Sequence, residues 1–331
     1  MSVAATGAIA AVAVFILFVI LVIVAAWGRA AVGVVGGGGA ARATGAAAPT
    51  RLPQWDGPAP CLSRELALDC ARLVRARVRD SGRFGPATAG DMAALASAAA
   101  AAARAHKAPP LRPDQLAAMW NMEVAVEARA GGARAARLGP KILAACRAGE
   151  KVVDVAARLR VPPTAALRAA AGATGAAGAA TRLPLFLERD AAAAAEADLG
   201  SRVNADRIRA RAQDFEDALG AHLRTLGVGF HTEEDLRRRG GEGPLLTPDF
   251  LLMGGGIRVG DHTVHWIDAK NYLMYESRLV AASLVAQAEK YTRAFGPGAM
   301  VFSGGVMCGA VVECATGPPP LLLDGSHVRK K

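Results

Sequence analysis

Two short segments of this chain place carboxylates and a lysine at spacings that suit divalent-metal chemistry. They read LTPDF at 246–250 and HWIDAK at 265–270, with Asp268 standing 19 residues after Asp249. Side chains two apart in a β-strand share a face, so Asp268 and Lys270 are expected to project together. We expect Asp249 and Asp268 to arrive on neighbouring strands and to form an oxygen-rich pocket for Mg²⁺ or Mn²⁺.

The chemistry expected of such a pocket is hydrolysis of a phosphodiester. The cation would polarise the phosphate and acidify a bound water, and Lys270 would position that water or steady the developing charge. The carbonyl of Ala269 is a further predicted metal ligand. Glu216, on the preceding helix, is predicted to bring a third carboxylate to the metal or its water, the alternative being a solvated helix residue.

Three other side chains near these segments have two interpretations each. Gln287 and Tyr291 lie four residues apart, so they share a helix face, and they form the Q-x-x-x-Y pattern of nucleases that resemble the RecB branch. They are predicted to support the site, with plain packing as the alternative. His265 is expected on the strand face opposite Asp268 rather than as a general base, because strand side chains alternate. A structural ion pair is the alternative role for Asp268 and Lys270.

The elements that must position these residues follow from periodicity. Apolar residues recur at helical spacing, and strand-like runs alternate with them. The sequence predicts, in order, a helix at 205–226, strands at 248–253 and 263–270, a helix at 277–295, and strands at 299–302 and 306–312. The Gly-rich stretch GGGIRVGD is expected to be a hairpin connection between the first two strands. This order predicts a small α/β domain around one sheet.

The beginning of the chain has a different texture. Residues 8–27 are apolar and uncharged, which is long enough for a transmembrane helix, so we expect an anchor at 1–28. Positive charges first occur after this segment, which predicts that the remainder is cytosolic. A wrong start codon or a cleaved targeting sequence is the alternative. Residues 29–50 resemble a Gly/Ala-rich flexible linker.

Residues 51–199 are rich in alanine and predicted to be helical. Within them, the segment at about 137–170 has a helix, a short turn at 161–163 and a second helix that starts at Thr164, which predicts a helix-turn-helix. Reading of DNA by this element and plain helical packing both remain open. The predicted connection near 108–113 is rich in proline, and the helix after it is expected to reach about Ala130.

The charge distribution indicates a class of partner, and the cysteine content indicates which kinds of site to expect. From residue 29 to residue 199 there are 23 Lys/Arg against 14 Asp/Glu, whereas from residue 200 onward there are 16 against 15. A basic accessory region suits nucleic acid, and a surface that reflects GC-rich codon usage is the alternative. Five cysteines, an odd number with no C-x-x-C pair, disfavour a disulfide framework and a zinc site.

Five stretches together resemble the codanin-interacting nuclease family, the TPD-motif branch of the PD-(D/E)XK superfamily, which is similar to archaeal Holliday-junction resolvases. They are QDFEDAL at 213–219, HTEEDLRRRG at 231–240, TPDFLL at 247–252, VHWIDAKNY at 264–272 and RAFGPGAMVF at 293–302. The resemblance implies a restriction-endonuclease-like α/β domain at 200–315, with a central mixed sheet flanked by helices and a tail at 316–331. It assigns the metal-site roles to Asp249, Asp268 and Lys270, with Glu216 as the helix carboxylate.

The resemblance implies a divalent-metal-dependent nuclease that hydrolyses DNA and is located in the nucleus or the cytoplasm. The alternative is a catalytically inactive adaptor that uses the same fold to bind a codanin-like protein. A third interpretation, a membrane-tethered helix-turn-helix regulator, requires both the membrane segment at 8–27 and the DNA-reading helix.

Overall fold

The first half of the described chain is helical, and a β-sheet begins in its second half. The computed structural model describes residues 50–51, 62–174, 183–239, 246–276 and 278–328. The helices are α1 (Arg64–Ser81), α2 (Ala89–Ala105), α3 (Pro113–Arg147), α4 (Val152–Leu159), α5 (Pro163–Ala173), α6 (Leu185–Glu196), α7 (Arg202–Thr225), α8 (Glu233–Arg239) and α9 (Arg278–Phe295). The strands are β1 (Thr50–Arg51), β2 (Phe230–Thr232), β3 (Phe250–Leu252), β4 (Ile257–Val259), β5 (His262–Val264), β6 (Trp266–Lys270), β7 (Gly298–Phe302) and β8 (Leu321–Asp324).

The main sheet has five strands in the order β2-β3-β6-β7-β8. The pairs β2–β3 and β3–β6 are antiparallel, whereas β6–β7 and β7–β8 are parallel, so the sheet is mixed. The parallel pair β6–β7 is joined by α9, as a parallel connection requires. Strands β1, β4 and β5 form a second, three-stranded sheet. The prediction of an α/β fold with a mixed sheet and flanking helices is confirmed at this level.

Alternation along β6 separates two apolar layers. Ile267 packs in the layer that contains Phe215 and Leu219 of α7. Trp266 packs in the other layer, with Tyr291 of α9. Because side chains alternate along a strand, Asp268 and Lys270 are carried on the same side as Trp266, toward α9. The predicted common face for these two residues is confirmed.

The helical region packs closely because small residues stand where its helices cross. A Cβ on Gly131 would lie 2.7 Å from Pro162 Cδ, and one on Gly139 would lie 2.7 Å from the Ala169 carbonyl oxygen. Helix α3 therefore runs unbroken through both glycines and through Pro140, and the expected end near Ala130 is wrong. Tertiary contact overrides the weak helix propensity of glycine and proline here.

The loop that follows β6 connects the sheet to the helical region. Leu273 and Tyr275 are buried in the cluster formed by α1, α2 and α3, together with Met307. Gln115 Nε2 at the start of α3 donates a hydrogen bond of 2.8 Å to the Gly304 carbonyl. The loop after β6 is therefore fixed by contacts with both the sheet and the helical region.

Three local predictions are corrected. The stretch GGGIRVGD is more than a hairpin turn, because Ile257 and Val259 are buried and form β4. The predicted strand at 306–312 is wrong, and the corresponding edge strand is β8, which lies in the segment predicted as a tail at 316–331. Helix α5 begins at Pro163, and Thr164 does not cap it. The Thr164 hydroxyl contacts Asp198 instead.

The predicted fold class is corrected in one respect, because the structure does not support an N-terminal transmembrane helix. No helix among the described residues is long and apolar enough to cross a membrane. Residues 8–27, on which that prediction rested, lie outside the described residues, as does most of the linker predicted at 29–50. The fold class that the structure supports is α/β, with a mixed sheet of five strands and helices.

The cysteines bear on the prediction that disfavours a disulfide framework. Cys70, Cys146 and Cys314 are free. Cys308 is disulfide-bonded. The chain therefore contains a disulfide that the cysteine count did not predict.

Candidate metal-dependent active site

Strands β3 and β6 place Asp249 opposite Asp268. The antiparallel register pairs Phe250 with Ile267, and one further step along both strands brings the two aspartates into register. The Cα atoms of directly opposed residues in an antiparallel pair lie about 4.5–5.5 Å apart. Asp249 Oδ2 also accepts a hydrogen bond of 2.6 Å from the Ala269 main-chain N–H. The predicted convergence of these two aspartates is present in the structure.

Asp268 and Lys270 form a buried ion pair. Their residues are 2% and 4% exposed, and Lys270 Nζ contacts Asp268 Oδ2. Gln287 of α9 bridges the pair, because its Oε1 accepts a hydrogen bond of 2.9 Å from Lys270 Nζ and its Nε2 donates one of 3.2 Å to Asp268 Oδ1. Such bridging is what a buried pair needs, since desolvated charges are costly unless their remaining hydrogen-bonding capacity is used.

Tyr291 joins this network to the TPD segment. Its hydroxyl accepts a hydrogen bond of 3.2 Å from Gln287 Nε2 and donates one of 2.8 Å to the Thr247 carbonyl. Its ring packs edge-on against Trp266 with centroids 5.2 Å apart. Gln287 and Tyr291 therefore hold both acidic segments in place, and they are more than general packing residues.

Burial and neighbouring carboxylates raise the pKa of two residues at the site, Glu216 and Asp249. Burial, Glu233, Asp217 and Asp268, in that order, raise the pKa of Glu216 to about 7. Burial first, and then Asp268, raise the pKa of Asp249 well above its usual range, and Glu216 adds to the effect. Lys270 and the Ala269 N–H oppose that rise. Glu216 of α7 thus lies within electrostatic range of both aspartates, where the sequence analysis predicted a third carboxylate.

Glu233 is a fourth acidic residue near the site that the sequence analysis did not single out. It begins α8, and its Oε1 accepts a hydrogen bond of 3.1 Å from the Thr247 hydroxyl. It also forms an ion pair with Arg237 one turn later. The only signal in the sequence was its position in the HTEEDLRRRG stretch, since its contact with the TPD segment is long-range.

These residues fit a hard divalent cation. Asp249 and Asp268 are opposed across β3 and β6, Lys270 Nζ contacts Asp268 Oδ2, and Glu216 lies within electrostatic range of both aspartates. In the part of the chain that the structure describes, no three acidic, histidine or cysteine side chains form a complete metal cage. Mg²⁺ does not need one, because it usually keeps several waters and takes one or two carboxylates together with substrate phosphates. The Ala269 carbonyl stays a predicted ligand.

His265 takes no part in this arrangement. It immediately precedes β6 and lies against Gly296, where a Cβ would stand 3.1 Å from His265 Cδ2. Its main-chain N–H donates a hydrogen bond of 2.8 Å to the Pro297 carbonyl. Its expected position away from Asp268 agrees with these contacts.

The predicted helix-turn-helix has a tight turn between α4 and α5. Arg160 ends α4 with φ of 52°, in the left-handed region, which makes a three-residue connection. Arg134 Nη1 of α3 donates a hydrogen bond of 3.1 Å to the Arg160 carbonyl and so fixes α3 against the turn. The segment therefore forms a three-helix unit made from α3, α4 and α5.

Basic residues are concentrated on this three-helix unit. Residues 129–168 contain nine Lys/Arg and two Asp/Glu, a net charge of +7 out of +10 for the whole chain. Arg134, Arg137 and Lys141 are spaced three and four apart, so they share one face of α3. Helix α5, by contrast, has a single charged residue, Arg168. This distribution suits contact with phosphates better than reading of base edges.

Comparison with known proteins places the acidic segments within one family domain. Residues 186–313 match the family described as "Protein of unknown function TPD sequence-motif", and this range contains Thr247-Pro248-Asp249. The chain is 39% identical over 121 residues to an uncharacterized protein of Acanthamoeba polyphaga mimivirus, a match that covers 36% of this chain and 42% of the viral protein. No solved structure matches the chain. Residues 186–313, which contain the site between β3, β6 and α9, are therefore similar to the TPD sequence-motif family.

Proposed function

We propose that this protein is a divalent-metal-dependent nuclease that hydrolyses phosphodiester bonds in DNA, on a restriction-endonuclease-like fold of the PD-(D/E)XK superfamily. The observation that carries the proposal is the group formed by Asp249 and the buried pair of Asp268 and Lys270, with Glu216 in electrostatic range. Carboxylates that repel one another raise the free energy of the folded state, and a bound cation would remove this repulsion. The resemblance to the codanin-interacting nuclease family supports the same activity.

The residues at the site have distinct parts in this proposal. Asp249 and Asp268 would hold Mg²⁺ or Mn²⁺, with Glu216 and the Ala269 carbonyl as further oxygen ligands. When bound, the cation would supply Lewis-acid polarisation of the phosphate and a lowered pKa of a bound water. Lys270 would donate a hydrogen bond to that water or to a phosphate oxygen on which negative charge develops. Gln287 holds Lys270 and Asp268 at a fixed separation, so that neither needs to reorganise.

Nucleic acid is the proposed substrate because of the charge on the helical region. The three-helix unit of α3, α4 and α5 carries a net charge of +7 over residues 129–168. A basic surface of this kind neutralises phosphates without regard to base sequence. A nuclear or cytoplasmic location is proposed on the family resemblance alone.

The test is cleavage by the full-length chain. Single-stranded, flap and four-way DNA are incubated with Mg²⁺ or Mn²⁺, and Lys270→Ala serves as the inactive comparison. Wild type is expected to cut at least one of these substrates, and Lys270→Ala is expected to be slower by roughly 10²-fold or more. Equal background rates for both proteins on every substrate would refute nuclease activity.

A second candidate is a catalytically inactive adaptor that binds a codanin-like protein through this fold. Two observations favour it. Lys270 Nζ contacts Asp268 Oδ2, and among the described residues no three Asp, Glu, His or Cys side chains are grouped so that they could hold a metal ion. Titration with Mn²⁺ separates the candidates. The nuclease should bind Mn²⁺ through Asp249 and Asp268, whereas an adaptor should bind its partner and take up no metal at this site.

A further inference from the structure

The hydroxyl of Tyr272 is a buried polar group without a partner at the proposed site. Tyr272 stands two residues beyond Lys270, and its main-chain N–H donates a hydrogen bond of 2.9 Å to the Lys270 carbonyl. Its ring packs edge-on against Phe302 of β7, with centroids 5.5 Å apart. The hydroxyl oxygen is excluded from solvent and has no hydrogen-bond partner among the described residues. Buried hydroxyls are nearly always satisfied, so an exception calls for an explanation.

Neighbouring residues of the same loop show why this hydroxyl is different. Leu273 and Tyr275 are buried in the core of the helical region. The Tyr275 hydroxyl has an acceptor there, Glu123 Oε1, at 3.4 Å. Tyr272 lies between Lys270 and this anchored part of the loop, and its ring packs against Phe302. The loop therefore carries a donor near Lys270 that no acceptor in the described part of the chain satisfies.

The electrostatic surroundings keep the Tyr272 hydroxyl protonated. Burial, and then the charge of Asp268, raise the pKa of Tyr272 above its usual value. The group is therefore a hydrogen-bond donor at every pH at which the protein would act. Asp268 Oδ2, by contrast, has Lys270 Nζ as its ion-pair partner. The Tyr272 hydroxyl is thus a donor that no acceptor among the described residues satisfies.

We propose that the Tyr272 hydroxyl donates a hydrogen bond to a non-bridging oxygen of a phosphate group in the bound substrate, which makes Tyr272 a substrate-binding residue. This inference rests on the proposed function, because it needs a phosphate beside the cation. A buried hydroxyl without an internal partner does not stabilise the folded state, yet it would contribute a charge-assisted hydrogen bond to the complex. Its removal should therefore weaken binding, and it should leave stability unchanged or raise it.

The experiment uses Tyr272→Phe, which keeps the ring and deletes only the oxygen. Affinity of the full-length chain for a fluorescent DNA hexanucleotide is measured with Ca²⁺ in place of Mg²⁺, and unfolding midpoints are measured in EDTA. Tyr272→Phe is expected to bind the hexanucleotide roughly 10- to 100-fold more weakly, with an unfolding midpoint that is equal to or above that of wild type and with unchanged Mn²⁺ affinity. Tyr291→Phe, which loses a hydroxyl with two partners, should lower the midpoint. Tyr275→Phe should leave hexanucleotide affinity unchanged.

Each other outcome decides a different question. If Tyr272→Phe lowers the midpoint as Tyr291→Phe does, the hydroxyl has an internal structural role and the inference is overturned. If its hexanucleotide affinity equals that of wild type while Asp249→Asn loses Mn²⁺ binding, the inference fails and the proposed metal site stands. If Asp249→Asn binds Mn²⁺ as wild type does, the proposed function fails and this inference fails with it.

Discussion

Replacement of Glu216 by glutamine should stabilise the metal-free protein at alkaline pH. The pKa of Glu216 is raised from 4.5 to about 7 by burial and by the charges of Glu233, Asp217 and Asp268. Between these two values the folded state holds a proton that the unfolded state has released, so stability falls as pH rises from about 4.5 to about 7. Above that range the Glu216 carboxyl is ionised in both states, and its charge lowers the stability of the folded protein by the full amount.

The magnitude follows from the shift in pKa. Each pKa unit corresponds to about 1.36 kcal/mol, so the shift for Glu216 corresponds to about 3 kcal/mol if the carboxylate were fully buried. Because this side chain is only partly buried, solvent screening reduces the expected effect to about 1–2 kcal/mol. Glu216→Gln should gain this amount in free energy of unfolding at pH 8. It should gain almost nothing at pH 4.5, where the wild-type carboxyl is protonated in the folded state and only half ionised in the unfolded state.

The assay is urea denaturation of the full-length protein in EDTA at both pH values, followed by circular dichroism. Asp217→Asn is the matched control, because Asp217 is the exposed neighbour on the same helix and should change stability by a few tenths of a kcal/mol at most. With Mn²⁺ added at pH 8, the order should reverse, since wild type retains the extra oxygen ligand. A Glu216→Gln protein that is less stable than wild type at pH 8, or a difference that does not vary with pH, would refute the electrostatic reasoning.

Three further predictions concern the ion pair, the helix packing and the basic surface. Lys270→Ala leaves a buried carboxylate without its ammonium and should lower the free energy of unfolding by about 3–5 kcal/mol in urea denaturation; no loss would show that the pair is not buried in solution. Gly139→Ala should lower it by about 1–3 kcal/mol, because the added methyl meets a carbonyl, whereas Gly172→Ala, with open space around it, should not lower it. The double change Arg137→Gln and Lys141→Gln should reduce the slope of log affinity for duplex DNA against log salt by about 2, and an unchanged slope would remove this face of α3 from the interface.

Local periodicity was sufficient to predict how the main side chains are grouped. The two-residue repeat of a strand placed Asp268 and Lys270 on one face, and the four-residue spacing on a helix placed Gln287 and Tyr291 together. Both rules depend only on backbone geometry, so they need no knowledge of the rest of the fold. Gln287 accepts a hydrogen bond from Lys270 and donates one to Asp268, which shows that the two faces meet.

Features that depend on contacts distant in sequence could not be predicted in this way. The edge strand β8 follows three prolines and pairs with β7 across a loop, so a run of apolar residues at 306–312 was mistaken for it. Helix α3 continues through Gly139 because close approach to α5 compensates for glycine's poor helix propensity. The surroundings of Glu233 and Tyr272 depend on Thr247 and Phe302 respectively, which approach them only in the folded chain.

The most direct test of the proposed function is a crystal structure of the full-length protein soaked in Mn²⁺, with the metal located by its anomalous scattering. We predict one strong peak at coordination distance, about 2.0–2.3 Å, from carboxylate oxygens of both Asp249 and Asp268, with Lys270 displaced from the second of these. A map in which Lys270 still contacts Asp268 and no peak lies between the two aspartates would contradict the metal site, and with it the proposed nuclease activity.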